Sequence, residues 1–318
     1  MMTTLACTTV MGMMSATWTT VWLMMEVNTM AMCYMLSVDS NNKKMKNMNS
    51  MKYFLVQMLA SSFIAIMVSQ QMTNNSTELL LVMSLLIKMG AWPFHYWLMS
   101  MMSTIKLENK STLLLMTWQK ILPSSILSVM TLDTKTKMMV LTLSLMSLML
   151  PLVKMKHMKN SMMMALSSLH NNSWILISAI ISFKTLIIML ILYSSAMMMT
   201  MNTLSKKSNS MMNSIPMMLS SLAMMANLSG MPPMSMFWMK IMVIMESIQK
   251  SMSASVMALL LTMSCVMLTI YLMMMIPMFM KYNNKTQNNK GMEMNNSMKA
   301  MLQVSLLSTL VMMMVKVS

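Results

Sequence analysis

Five ionisable side chains fall inside long apolar stretches of this sequence: Glu26, Lys88, His95, Lys120 and Lys240. A charge at the centre of a bilayer-spanning helix costs roughly 2.5–3.5 kcal/mol on insertion scales, and residues kept there mark ion or proton paths. A carboxylate, an imidazole and amines buried in one membrane can do proton transfer. Each holds or releases a proton according to the charge of its neighbours.

Glu26 sits in VWLMMEVNTMAMCYM, with Asn28 two residues on. A lone buried carboxyl takes up a proton, whereas one beside a buried ammonium stays ionised. The bland alternative is a static Glu–Lys brace that orders the bundle. Lys88 lies in LLIKMGAWPFHYW, about ten residues from either end of its segment, which argues against a lysine that snorkels to the surface. His95 follows seven residues later, on the same face of an unbroken helix. GAWPF between them bends or unwinds that helix. An ordinary hydrogen-bonded histidine is the alternative for His95.

Lys120 sits deep in its segment, in MTWQKILP. The acidic candidates to pair with it, Glu108 and Asp133, lie near segment ends. Pro93 and Pro123 are expected to interrupt the Lys88 and Lys120 segments. Lys240 occurs in PPMSMFWMKIMVIME, with Glu246 six residues on, and snorkelling stays open for it. His157, in a lysine-rich loop, reads as solvated. The seven tryptophans read as packing or belt residues.

The elements that must position these groups are membrane helices. Of 318 residues, 57% are hydrophobic and 9% charged, and mean hydropathy is +0.61. A soluble chain carries about 25% charged residues. Apolar runs recur along the whole length, which gives an all-α polytopic helix bundle forming one integral membrane domain, residues 1–318. Eleven segments are expected: 3–17, 19–38, 51–70, 78–101, 111–131, 137–153, 160–181, 184–202, 211–247, 252–280 and 297–316. The ninth is broken at SGMPP, because Pro232 and Pro233 cannot continue a helix. Four glycines leave no phosphate-binding loop. Cys7, Cys33 and Cys265 lack metal-site spacing and read as small buried hydrophobes.

The net charge of +16 reads as a topology signal and not as a nucleic-acid surface, since the lysines are scattered through short loops. Fifteen of them lie in or beside loops that follow an even number of segments, five on the other side and three inside spans. That bias puts the N-terminus inside and the C-terminus outside. Methionine occurs 65 times and every basic residue is lysine, a bias resembling proteins made in animal mitochondria. The start, MMTTLACTTVMGMM, enters an apolar segment with no basic presequence, as expected of a chain made inside the organelle.

MEVN around Glu26, MKYFLVQMLASS (Met51 to Ser62), LLIKMGAWPFHYW, MTWQKILP and NLSGMPPMSMFWMK (Asn227 to Lys240) occur in this order along the chain. On these stretches the chain resembles the NADH–ubiquinone oxidoreductase chain 2 family, the smallest antiporter-like membrane subunits of mitochondrial respiratory complex I. The longer antiporter-like chains 4 and 5 fit less well. The resemblance implies an antiporter-like fold with discontinuous helices. It implies proton translocation along Glu26, Lys88, Lys120, Lys240 and His95, driven by electron transfer in partner subunits. Glu26 takes the place of the glutamate that sets the charge of its lysine partner Lys88. Lys120 takes the central lysine position and Lys240 the terminal one, and His95 is the histidine of the hydrated axis.

No cofactor or metal is implied in this chain; NAD, FMN, iron–sulfur clusters and ubiquinone belong to partner subunits. The implied partners are other membrane-arm subunits and lipids, with no nucleic acid and no directly bound small-molecule substrate. The implied location is the mitochondrial inner membrane, with the N-terminus in the matrix. The chain departs from the family at SSLHNNSW, where Asn171 holds the histidine position, His170 precedes it and Ser173 replaces the glycine. It departs again in the loops at 99–105 and 151–162. A stand-alone cation/proton antiporter and a non-conducting membrane scaffold are the other functions open.

Overall fold

The computed structural model describes residues 2–39, 43–69, 75–105, 109–130, 132–153, 160–209, 223–232 and 234–286. Every regular element among them is a helix: α1 (Met2–Met14), α2 (Trp18–Asp39), α3 (Lys43–Ser69), α4 (Asn75–Met89), α5 (Tyr96–Met102), α6 (Lys110–Met116), α7 (Trp118–Val129), α8 (Thr134–Val153), α9 (Asn160–Ile181), α10 (Phe183–Asn209), α11 (Ser235–Gln249) and α12 (Ala254–Thr286). Residues 223–229 add a short helical stretch before α11. The segment expected at 297–316 and residues 154–159 of the altered loop at 151–162 lie outside the described residues.

The chain forms two compact units, residues 1–190 and 191–318. In the first, α2 packs between α1 and α3, α3 on α4, α4 on α7, and α7 and α8 on α9. α9 is buried on every side from residue 164 to 179. The usual inside-out pattern is inverted. α2 exposes Leu23, Val27, Met30, Tyr34 and Val38, while Ser, Thr, Asn and Lys side chains are buried. Hydrocarbon around the bundle makes that arrangement favourable, because polar groups must find partners inside the protein. Among the described residues, four helices are long and apolar enough to cross a bilayer, at 18–38, 48–69, 183–201 and 254–273. The protein is a multi-pass membrane protein.

Two contacts sort the segment ends of the first unit. The Thr104 hydroxyl donates to Asn49 Oδ1 at 3.0 Å, joining the start of α3 to the end of α5. At the opposite ends, Glu78 Oε1 accepts from the Asp133 amide and the Thr136 hydroxyl, both at 3.0 Å, joining the start of α4 to the start of α8. The start of α3 and the end of α5 therefore share one end of the unit, and the starts of α4 and α8 the other.

The cysteines do not follow expectation. Cys7 and Cys265 are exposed and Cys33 is half-buried. Cys7 and Cys265 sit on exposed helix faces, whereas the Cys33 thiol points to Ser50 O of α3 at 3.9 Å.

Pro123 departs as well. It does not interrupt its segment but lies inside α7. The interruption falls at Thr117, between α6 and α7, six residues upstream. A proline ring presses on the carbonyl four residues before it, so the strain is relieved in the preceding turn. The Thr117 amide and hydroxyl both donate to Leu113 O, at 3.0 and 2.7 Å. The Lys120 amide then returns to Thr117 O at 3.1 Å. Lys120 thus stands in the first turn of α7, just past the break.

Candidate functional site

The site is built where helices stop inside the bundle. α4 ends at Gly90, whose φ of +65° is the left-handed conformation open to glycine. The Gly90 amide donates to Ile87 O and the Ala91 amide to Leu86 O, at 3.1 and 3.0 Å, which closes a Schellman cap. Pro93 follows, and α5 resumes at Tyr96.

A helix stopped at membrane depth leaves carbonyls that need partners. The last three carbonyls of α4 receive side-chain donors from four other helices. Trp97 Nε1 of α5 donates to Ile87 O at 3.2 Å. Gln57 Nε2 of α3 and Gln119 Nε2 of α7 donate to Lys88 O at 3.5 and 3.4 Å. Asn172 Nδ2 of α9 donates to Met89 O at 3.4 Å.

This anchored end carries Lys88. Its side chain is 2% exposed and its Nζ lies 3.6 Å from Glu26 Oε1, whose side chain is 16% exposed. The two atoms form a close ion pair without a hydrogen bond, and neither has a hydrogen-bond partner among the described residues. Glu26 and Lys88 thus meet, the pairing that the family resemblance implied. Lys120 is fully buried, and its Nζ donates to Ser168 O of α9 at 3.1 Å.

His95 stands at the start of α5, partly exposed, with Nδ1 3.2 Å from Pro93 O. The unwound turn separates it from the helix that bears Lys88, so the shared face expected of an unbroken helix is lost. His170, Asn171 and Asn172 are all buried in α9. Asn171 Oδ1 and Asn172 Oδ1 have no hydrogen-bond partner among the described residues. Buried amide oxygens of that kind are where ordered water binds.

The second unit repeats the device. The helical stretch at 223–229 ends at Gly230, φ +78°. Gly230 and Met231 donate to Asn227 O and Ala226 O at 3.0 and 3.2 Å, the same cap as at Gly90. Asn227 Oδ1 accepts from the Ser235 hydroxyl and the Met236 amide, at 3.0 and 3.3 Å, and so caps the start of α11. Lys240, from α11, reaches back across Gly230 and donates from Nζ to Ser229 O at 3.2 Å. An ammonium on terminal carbonyls meets the negative end of a helix. With 6% exposure Lys240 is buried, so snorkelling is excluded.

Tyr53, Gln57, Gln119, Asn172 and Asn227 are not among the candidates above, because charges mark the spans whereas the breaks are held by neutral polar side chains. A signal was present: Tyr53 and Gln57, one helical turn apart, are polar residues inside an apolar run.

A family profile described as NADH:quinone oxidoreductase/Mrp antiporter, TM, matches residues 64–266. The NADH-ubiquinone oxidoreductase chain 2 of Mammuthus primigenius is 30% identical over 264 residues, covering 77% of this chain and 75% of that one. The chain belongs to the NADH-ubiquinone oxidoreductase chain 2 family. The chain 2 of Locusta migratoria is 26% identical over 322 residues, covering 95% of this chain and 91% of its own. The chain 2 fold is shared with a chain of respiratory complex I from Thermus thermophilus, at a TM-score of 0.72 and 16% identity over 97% of this chain and 76% of that one. A chain of the membrane-bound sulfane sulfur reductase, an archaeal respiratory membrane complex, matches at 0.75 and 13% identity over 94% and 70%. The antiporter-like fold expected from the sequence is therefore the one observed, with its discontinuous helices at Gly90, Thr117 and Gly230.

Proposed function

We propose that this chain is the proton-translocating membrane subunit of a respiratory complex I, acting as one membrane domain over residues 1–318 and driven by electron transfer in partner subunits. The observation that supports it most is the buried Lys88 ammonium, 3.6 Å from Glu26 at the capped end of a broken helix. An intramembrane ion pair at a helix break is unfavourable as plain structure and useful as a proton site. An ionised Glu26 holds the proton on Lys88. When Glu26 is neutralised or turned away, Lys88 loses its counter-charge and gives the proton up towards Lys120. Lys240 serves the terminal lysine step and His95 the hydrated axis. NAD, FMN, iron–sulfur clusters and ubiquinone act in partner subunits, and this chain holds none of them. Its neighbours are other membrane-arm subunits and lipids.

The proposal places the chain in the mitochondrial inner membrane. The N-terminus faces the matrix and the C-terminus the intermembrane space, following the lysine bias. Native electrophoresis of mildly solubilised membranes separates this function from a stand-alone cation/proton antiporter. The chain should migrate in a large assembly that oxidises NADH. Migration as a free chain, with NADH oxidation elsewhere in the gel, would overturn the assignment.

A further inference from the structure

We propose that Gln119 is a positioning residue that ties the Lys88 end of α4 to the Lys120 turn of α7, with Tyr53 and Gln57 holding its amide in one orientation. The inference rests on the proton-translocating function proposed above. Lys88 O can only accept, and it faces both Gln57 Nε2 and Gln119 Nε2, at 3.5 and 3.4 Å. That contact fixes which end of each amide points where. Gln119 Nε2 donates also to Gln57 Oε1 at 3.1 Å, and Gln119 Oε1 accepts from the Tyr53 hydroxyl at 2.6 Å. Tyr53 and Gln57 are fully buried and Gln119 is 4% exposed. The Tyr53 ring is further held edge-on to Trp97, at 5.9 Å between centroids.

The consequence is mechanical. One side chain bonds the backbone of Lys88 and neighbours Lys120 in sequence, so neither lysine-bearing turn can shift without straining the other. α7 is free to transmit such a shift because the segment is interrupted at Thr117, between α6 and α7. Glu26 is outside this clamp: it meets the Lys88 side chain, whereas Gln119 meets the Lys88 backbone. A change at the ion pair can therefore reach Lys120 through Gln119.

The test uses the assembled complex carrying Gln119→Met, which keeps length and loses every hydrogen bond, or Tyr53→Phe, which removes only the hydroxyl. Two rates are read per assembled complex: NADH-driven proton uptake, and NADH oxidation by an artificial electron acceptor that bypasses the membrane arm. Gln119→Met should lower proton uptake at least about twofold, as residues that couple two sites without touching either ligand do, and leave the acceptor rate intact. Tyr53→Phe should do the same to a smaller extent, because the amide keeps its donors and loses its fixed orientation.

Unchanged uptake in both variants overturns the proposal. So does failure of both to assemble, or a parallel fall in both rates, since a packing role predicts that. Lys120→Met run alongside separates the levels. If it pumps normally, the proton-translocation function itself falls. If it loses uptake while Gln119→Met does not, only the positioning role falls.

Discussion

Lys88→Met should leave the complex assembled and reduce its NADH-driven proton uptake on the order of a hundredfold, the low end of what a positioned proton-transfer group contributes. Methionine fills a similar volume, is the commonest residue of this chain, and puts no cation at this position. The amide clamp on the α4 terminus survives, because it binds the Lys88 carbonyl and not its ammonium. What is lost is the Lys88 ammonium 3.6 Å from Glu26. Glu26→Gln should have the milder effect, since a neutral amide still donates and accepts hydrogen bonds.

A static brace predicts a different pattern. Removing one partner of a buried pair then costs roughly 3–5 kcal/mol, because the other charge is left uncompensated. Both variants would fail to assemble on native gels. If both assemble and pump normally, the Glu26–Lys88 switch is wrong.

Gly230→Ala should be the most damaging small substitution in the second unit. At φ +78° a residue with a Cβ is strained by roughly 1–2 kcal/mol. The added carbon would also stand 3.0 Å from Lys240 Nζ, 3.4 Å from Cε and 3.5 Å from Cδ. Relief comes by lifting the lysine off Ser229 O, its seat at 3.2 Å. The strain lowers the yield of assembled complex, and the displaced ammonium lowers proton uptake per complex as well. Uptake per complex is the informative quantity. If it stays at the native value while yield falls, the seat of Lys240 on the broken helix has no part in conduction.

The outline of the bundle was legible because its signals are local. Runs of Leu, Met and Ile mark spans, and Asn- and Lys-rich stretches mark loops. SGMPP places a glycine where a left-handed residue is needed and prolines where a helix cannot go on. The Lys88 and Lys240 regions share one device, a helix stopped by a glycine cap, at Gly90 and at Gly230. Glu26 and Lys88 were matched through the family resemblance, since the residues alone say only that a buried carboxylate needs a buried ammonium and offer Lys88, Lys120 and Lys240 for it.

Other features depend on which helix lies beside which. Pro123 looked like a break and is not, because its strain is released at Thr117. The amides that cover the end of α4 come from α3, α7 and α9, and nothing within any one of those segments says that its glutamine or asparagine faces an orphan carbonyl. His95 kept its place near the break but not its shared face with Lys88, since the unwound turn resets the helix phase.

Lys120→Met offers the most direct check on the claim that buried lysines carry the proton. Lys120 is fully buried, and its ammonium bonds a backbone carbonyl of α9. The measurement is NADH-driven proton uptake by purified complex in sealed proteoliposomes, normalised to complex assembled on native gels. The account predicts an assembled complex whose uptake is lost while NADH oxidation by an artificial acceptor persists. An assembled Lys120→Met complex that pumps at the native rate would contradict it.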